Sequence, residues 1–464
     1  STALVTWPSM TPEVGGVCTD PRNRRVSSAF PQVAFKSRRE APENRPPCRG
    51  YQGTLRRSLG CRVDACSGVG GMTECPRRWH DWSLMVGAVE GAARCDALRC
   101  RLQRRSVHVG SSATFDGGRS WPAVLGTLTA GEDLDPADAG WAMSRIMDGV
   151  ATDAQIAAFG VALKMKGVTG PELDSLAATM LEYSRKVPTD HPCVDIVGTG
   201  GDRQGTVNIS TMSSLVVSAC GVPVAKHGSR AASSKSGGAD VLEALGVTID
   251  LGPAEMARCL EQVGIGFCFA PVFHPAFRFV ATARKEIGIP TVFNVLGPLT
   301  NPAAPTANLI GCAFENLMPV MAEVFARRGK SALVVRGSDG LDEITMTGPT
   351  RVLRVAAGHV DEDSIEPGDF GMQPCSIEEL RGGDGEHNAG VARDLLAGVK
   401  GPVRDAVLLN SAAALVAFDG LDRDADLVDA MRGAIDRAAA AIDNGDAARL
   451  LEKWVDVSGA SKGR

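Results

Sequence analysis

The chain has 464 residues, 44% hydrophobic and 22% charged, which is material for two or three packed units with a large core. Its formal charge of −5 conceals a divide: residues 1–120 hold 19 Lys and Arg against 10 Asp and Glu, whereas residues 121–464 hold 30 against 44. There is no apolar run near the roughly 18–20 residues of a membrane span and no signal-peptide order at the start, and the 13 Cys lack both C-x-x-C pairs and disulfide-scaffold spacing; this composition points to reduced thiols in a cytosolic protein.

Residues 1–120 follow neither the helical nor the strand period, and 18 of their 19 basic residues are Arg, scattered among Pro, Gly and Ser. The segment is expected to be a largely disordered extension without catalytic chemistry, although its Arg pairs, such as Arg24-Arg25 and Arg104-Arg105, could touch nucleic-acid phosphates. From Trp121 apolar residues recur at helical spacing in four short blocks. Asp135 before Pro136, and Thr152, read as N-caps, and Gly149 and Gly167 as stops, which predicts a small all-α unit over 121–187. After Pro188 short β runs alternate with helices, "CVDIV", "VPVA", "VTID" and "FCFA" being the runs, and "NLIGCAF", "SALVVRG", "DEITMT" and "TRVLRVA" add more. That alternation predicts an α/β domain with a mainly parallel central sheet flanked by helices. From Ile377 the chain returns to amphipathic helices ending near Trp454.

Four stretches carry chemistry. In "VDIVGTGGDRQGTVNIST", residues 194–211, a β run gives way to a Gly-rich loop that opens a helix. Gly198, Gly200 and Gly201 let backbone N–H groups approach an anion, and Asn208, Ser210 and Thr211 sit at the helix start, where free N–H groups and the dipole favour phosphate. The loop is neither G-x-G-x-x-G nor G-x-x-x-x-G-K-[ST], and alone it could be a plain strand-to-helix turn. "KHGSRAASSKSGG", residues 226–238, then supplies Lys226, His227, Arg230 and Lys235, and no carboxylate lies between Asp202 and Asp240. A basic loop is ordinarily a solvated face; beside the Gly-rich loop it reads as a polyanion cradle. Arg284 lies in a helix-like run ending at Gly288 and offers a planar fork for a small carboxylate, while "FNVLGPLTNP" after it reads as a tight structural connection. The adjacent acids Asp342 and Glu343 follow a Gly-rich turn, and such a pair facing a polyphosphate cradle suits Mg²⁺.

These blocks, in this order, resemble the anthranilate phosphoribosyltransferases, enzymes with a nucleoside-phosphorylase-like fold, over about residues 121–459. The resemblance rests on Gly198-Thr199-Gly200-Gly201-Asp202, Asn208-Ile209-Ser210-Thr211, Lys226-His227-Gly228-Ser229-Arg230 with Ser233-Ser234, Arg284 to Gly288, Phe293-Asn294 with Leu296-Gly297-Pro298-Leu299, and Asp342-Glu343. It implies a small α domain (121–187) serving as a homodimer interface, an α/β domain (188–459), and an active site in the cleft between them. It also implies that Gly198, Gly201, Asp202, Thr206, Asn208, Ile209, Ser210, Thr211, Lys226, His227, Gly228, Arg230, Ser233, Ser234 and Gly238 hold phosphoribosyl pyrophosphate. Gly198, Ser229 and Arg284 would face anthranilate. Of two Mg²⁺ ions, Ser210 with Glu343 would bind one and Asp342 with Glu343 the other. Ser229 and Gly238 depart from the family pattern, which has Asn at the first and in many members Ser at the second.

The implied reaction joins anthranilate's amine to ribose C1 with release of pyrophosphate. It is expected to run on leaving-group stabilisation by Mg²⁺, Lys226 and backbone N–H groups and on orientation of the amine, rather than on an acid/base pair, with His227 mainly structural. A pyrimidine-nucleoside phosphorylase is the nearest alternative; the "NIST" helix start and the Asp342-Glu343 pair count against it. A non-catalytic nucleic-acid-binding relative would need a cationic stripe that the acidic domain lacks.

Overall fold

A computed structural model describes residues 118–231, 235–420, 423 and 425–461. The expected disordered extension therefore lies outside the described residues, except for residues 118–120.

The first four helices are α1 (Trp121–Thr129), α2 (Pro136–Met147), α3 (Asp153–Lys166) and α4 (Gly170–Glu182). Their boundaries follow from caps: the Asp135 carboxylate accepts from Ala137 N, Thr152 forms a reciprocal capping box with Gln155, and Gly167 closes α3 at φ 90°. Thr169 and Glu172 form a second box, and Glu172, fully buried, also accepts from Leu134 N and from the Lys166 ammonium, each at 2.8 Å. One carboxylate thereby fastens the α1–α2 connection and the end of α3 to the start of α4.

Among the described residues the sheet has seven strands: β1 (Val194–Gly198), β2 (Val224–Gly228), β3 (Ile265–Phe269), β4 (Ala307–Gly311), β5 (Ser331–Gly337), β6 (Thr350–Ala356) and β7 (His359–Ile365). Their order is β3-β2-β1-β4-β5-β6-β7; the first five are parallel and the last two form an antiparallel hairpin on the far edge. Helices α5 (Ile209–Ala219), α6 (Gly238–Ala244) and α7 (Pro253–Val263) follow β1, β2 and α6 in turn. The short α8 (Ala270–Phe273) and α9 (Ala281–Ile287) come next, then α10 (Met318–Arg327) between β4 and β5. A C-terminal group, α11 (Gly385–Leu396), α12 (Pro402–Asp419), α13 (Leu427–Asp443) and α14 (Asp446–Ser461), ends the described chain.

Neighbouring residues of the central strands enter different cores. Leu309, Leu333 and Val335 pack with α5, α12 and α13, while Ile310 and Val334 pack with α10 and the four N-terminal helices. Burial on both faces is what a parallel sheet under two helical layers requires.

Two predicted strands are not strands. Residues 247–250 ("VTID") and 342–347 ("DEITMT") run in irregular backbone. In the first, Val247 and Ile249 are buried while Thr248 N donates to Ser458 Oγ. In the second, the Asn410 side chain takes Ile344 N and donates to Ile344 O, at 2.9 and 3.0 Å, so one amide supplies the rung that a neighbouring strand would give. Conversely β7 escaped the pattern, because "HVDEDSI" is an exposed, charged edge strand.

Chain order along the sheet reverses between β1 and β4, which pair in register from Val194↔Ala307 to Gly198↔Gly311. Ligands of open α/β sheets bind beyond the strand C-termini at such a reversal. That is where the cleft opens.

Candidate active site

The cleft has a volume of about 1180 Å³ and runs from the C-terminal ends of β1 and β2 to the segment around α8 and α9. Its floor is set by Asp342. An ideal Cβ on Gly198 would lie 2.2 Å from Asp342 Oδ2, and one on Gly311 would lie 1.5 Å from the Asp342 carbonyl oxygen. Both strand tips must end in glycine for the acidic loop to sit on them, a packing reason that the sequence reading of Gly198 as a ligand-approach residue did not contain. Gly311→Ala is therefore expected to cost at least the roughly 1–3 kcal/mol of an overpacked core and to displace Asp342. A thermal melt paired with a turnover assay reads both, and wild-type values for both would contradict this packing.

Asp342 is buried, accepts from Gly200 N at 2.6 Å and has Asp202 as an acidic neighbour. Burial, then the Asp202 charge, push its carboxyl up to about 7. Burial and the neighbouring Asp342 likewise raise Glu343, whose Oε1 accepts from Ser210 N at 3.2 Å and so caps the start of α5 in place of Asn208. Two crowded hard-oxygen carboxylates beside a helix N-terminus are a fitting donor set for a dication. Among the described residues no three or more His, Cys, Asp or Glu close into a metal cage, and Mg²⁺, which draws its remaining ligands from water and substrate phosphate, needs none.

Lys226 is buried, donates to Ile196 O at 2.7 Å, and has its pKa pulled down to about 8 by burial against the opposing pull of Asp195 and Glu343. Burial holds His227 down at about 4, so its ring is neutral at pH 7. Its Nδ1 lies 2.9 Å from Gly297 O; a carbonyl only accepts, so Nδ1 carries the proton and Nε2 is an acceptor with no partner among the described residues. Beneath this pair the buried Asp195 accepts from His227 N and from Asn301 Nδ2, which also donates to Ala225 O. The "LGPLTNP" turn, read from sequence as a structural connection, thus also fixes the end of β2, and Gly297 and Pro298 line the cleft.

Arg284 on α9 is half-buried above the Phe277 ring, 5.5 Å from its centroid, and its guanidinium has no ion pair or hydrogen bond among the described residues. Burial lowers its pKa, and an unpaired guanidinium in a cleft wall is a ready partner for an anion. Arg230 is different: exposed, it is already tied to Asp240 at 2.9 Å and to Glu243.

Of the other predicted residues, Gly198, Gly201, Asp202, Thr206, Asn208, Ser210, Gly228, Ser229 and Gly238 all line the same cleft. Ile209 and Thr211 do not: both are buried, and the Ile209 side chain belongs to the hydrophobic core. Ser233 and Ser234 lie outside the described residues.

Family models describe the helical-bundle domain of a glycosyl transferase family over residues 122–184 and the a/b domain of that family over residues 190–448. An anthranilate phosphoribosyltransferase of Rhodococcus jostii is 63% identical over 351 residues, covering 75% of this chain and 97% of that protein. The chain belongs to the anthranilate phosphoribosyltransferase family. The Mycobacterium marinum anthranilate phosphoribosyltransferase is 57% identical over 342 residues, 73% of this chain and 93% of the relative. Among solved structures, the anthranilate phosphoribosyltransferase of Thermus thermophilus aligns with TM-score 0.67 at 39% identity, over 72% of this chain and 99% of that one. The Saccharomyces cerevisiae anthranilate phosphoribosyltransferase in complex with PRPP and Mg aligns with TM-score 0.67 at 27% identity, over 73% and 98%.

Sequence reading missed several residues of this cleft, among them His274, whose ring lies 5.1 Å from His227, and the run Arg381-Gly382-Gly383. Gly382 and Gly383, just before the Asp384 cap of α11, were the available signal: paired glycines next to a helix start mark a close backbone approach.

Proposed function

We propose that the cleft transfers the 5-phosphoribosyl group of phosphoribosyl pyrophosphate to the amine of anthranilate, in the tryptophan pathway, with Mg²⁺ as cofactor. The observation that carries this reading is the crowded Asp342-Glu343 pair, set against helix and loop N–H groups on one wall while an unpaired Arg284 waits on the other. The first wall suits a metal-bound pyrophosphate and the second a small carboxylate.

In the reaction the anthranilate nitrogen bonds to ribose C1, the C1–O bond to pyrophosphate breaks with its electron pair going to the pyrophosphate oxygen, and one amine proton is released to solvent. The chemistry a bound metal supplies is charge neutralisation of the departing pyrophosphate; we assign two Mg²⁺, on Asp342 with Glu343 and on Glu343 with Ser210. Lys226 and the N–H groups of the Gly-rich loop hold the phosphates. Arg284 anchors the acceptor carboxylate and so turns the amine toward C1. His227 stays neutral and offers Nε2 to an amine proton as a hydrogen-bond acceptor, not as a strong base. Ser229 is the polar side chain assigned to the acceptor side. A homodimer through the helical unit is supported by Val150 and Met165, apolar side chains left 61% and 79% exposed there. We assign residues 121–187 and 188–459 to the two domains, residues 1–120 to an extension and residues 460–464 to a tail. A cytoplasmic location fits the six free thiols among the described residues, where no helix is long and apolar enough to cross a membrane.

Mixing the protein with anthranilate, phosphoribosyl pyrophosphate and Mg²⁺ should deplete anthranilate fluorescence, and excess chelator should stop the decay. Turnover that continues unchanged in chelator overturns the metal assignment.

A further inference from the structure

Three loops of the cleft are joined by a chain of two side-chain amides. Gly383 N donates to Asn388 Oδ1 at 2.7 Å, Asn388 Nδ2 donates to Asn208 Oδ1 at 2.8 Å, and Asn208 Nδ2 donates to Ser236 O at 3.3 Å. The polarity is fixed at both ends by the main chain. A backbone N–H can only donate and a backbone carbonyl can only accept, so neither amide can be turned over without breaking two bonds. Asn388 is only 3% exposed and sits in the first turn of α11, 180 residues from Asn208.

The same segment grips the Gly-rich loop a second time. Thr206 and Arg381 form an antiparallel bridge, with Val207 N donating to Leu380 O and Gly382 N to Gly205 O, both at 2.9 Å. The approach is close: an ideal Cβ on Gly382 would lie 2.6 Å from Thr206 O. At the other end, Ser236 precedes Gly237, whose ideal Cβ would lie 2.5 Å from Ala231 N, so Gly237 and Ala231 approach closely there.

We propose that Asn388 is a positioning residue for the phosphorylated donor: through Asn208 it locks the Gly-rich loop to the basic loop, so that both phosphate-binding segments are set in register before the ligand arrives. This rests on the donor-site reading above. Asn388 itself does not line the cleft and touches no reacting atom. Preorganised donors lose less order on binding, so the lock acts on donor affinity and leaves the acceptor wall, built on α8 and α9, unaffected.

The test uses the full chain with Asn388→Ala and the isosteric Asn388→Asp, which keeps the acceptor for Gly383 N but cannot donate to Asn208. Both variants should weaken calorimetric binding of phosphoribosyl pyrophosphate with Mg²⁺ and raise its KM by roughly five- to tenfold, the scale of one lost buried hydrogen bond. The anthranilate KM should stay within about twofold. On an Asn208→Ala background, Asn388→Ala should add less than about twofold, because the two act as one unit. A lower melting temperature with unchanged donor affinity, an equal rise in both KM values, or full additivity with Asn208→Ala would each overturn the proposal. Failure of the unaltered protein to bind phosphoribosyl pyrophosphate at all would instead overturn the donor-site reading itself.

Discussion

Replacing Asp342 with Asn and Glu343 with Gln together should lower turnover by about a thousandfold or more, since metal-based charge stabilisation is worth several kcal/mol. The melting temperature should hold or rise. Both carboxyls have their pKa raised by burial and by a neighbouring acid, Asp202 in the case of Asp342 and Asp342 in the case of Glu343, so folding at neutral pH works against their ionisation. Neutral amides remove that penalty, and the amide oxygen introduced by Asp342→Asn can still accept from Gly200 N. For a raised carboxyl the sign is definite: the destabilisation is absent below the ordinary carboxylate range and grows as pH rises through about 7 for Asp342. An unfolded double variant, or one with ordinary turnover, would show that the pair is a structural strut or a bystander.

The second large effect divides the cleft between its substrates. Arg284→Ala should raise the anthranilate KM by about 10- to 150-fold, the worth of a charge-assisted bond of roughly 1.5–3 kcal/mol, and leave phosphoribosyl pyrophosphate much less affected. Because Arg284 has no partner among the described residues, removing it strands no buried carboxylate, so the loss is one of binding and not of stability. Lys226→Ala should do the reverse and weaken the phosphorylated donor. Kinetics with each substrate varied in turn discriminate; equal losses for both substrates in both variants would mean that the residues only hold the walls together.

What was legible in the sequence was local. The strand, Gly-rich loop and helix of residues 194–219 are contiguous, so composition and cap chemistry suffice to read them, and the same holds for Asp135, Thr152, Gly149 and Gly167. The β assignments of residues 247–250 and 342–347 went astray because apolar alternation reports burial on one side, not a partner strand. Asn410, in the middle of a distant helix, supplies the hydrogen bonds that alternation alone seemed to assign to a sheet. Gly311 and Asn388 were invisible for the converse reason. Their meaning lies wholly in what a remote segment lays against them, the Asp342 carbonyl in one case and the Asn208 amide in the other. The resemblance supplied the list of cleft residues; of these Lys226, Arg230 and Arg284 line the cleft, Lys226 tied to Ile196 O and Arg230 to Asp240, whereas the Ile209 side chain packs in the hydrophobic core.

The reversal of strand order at β1 also bears on how the chain is made. As synthesis proceeds from the N-terminus, β2 and β3 can close one side of β1 promptly, but the other side stays open until residues 307–311 have been added. The acidic loop that rests on Gly198 comes later still, and Asn388 after it. A nascent chain halted before residue 307 therefore displays an unpaired edge, flanked on both faces by apolar side chains that await α10 and α12, and is the species in which chaperone capture or aggregation is expected to compete with folding.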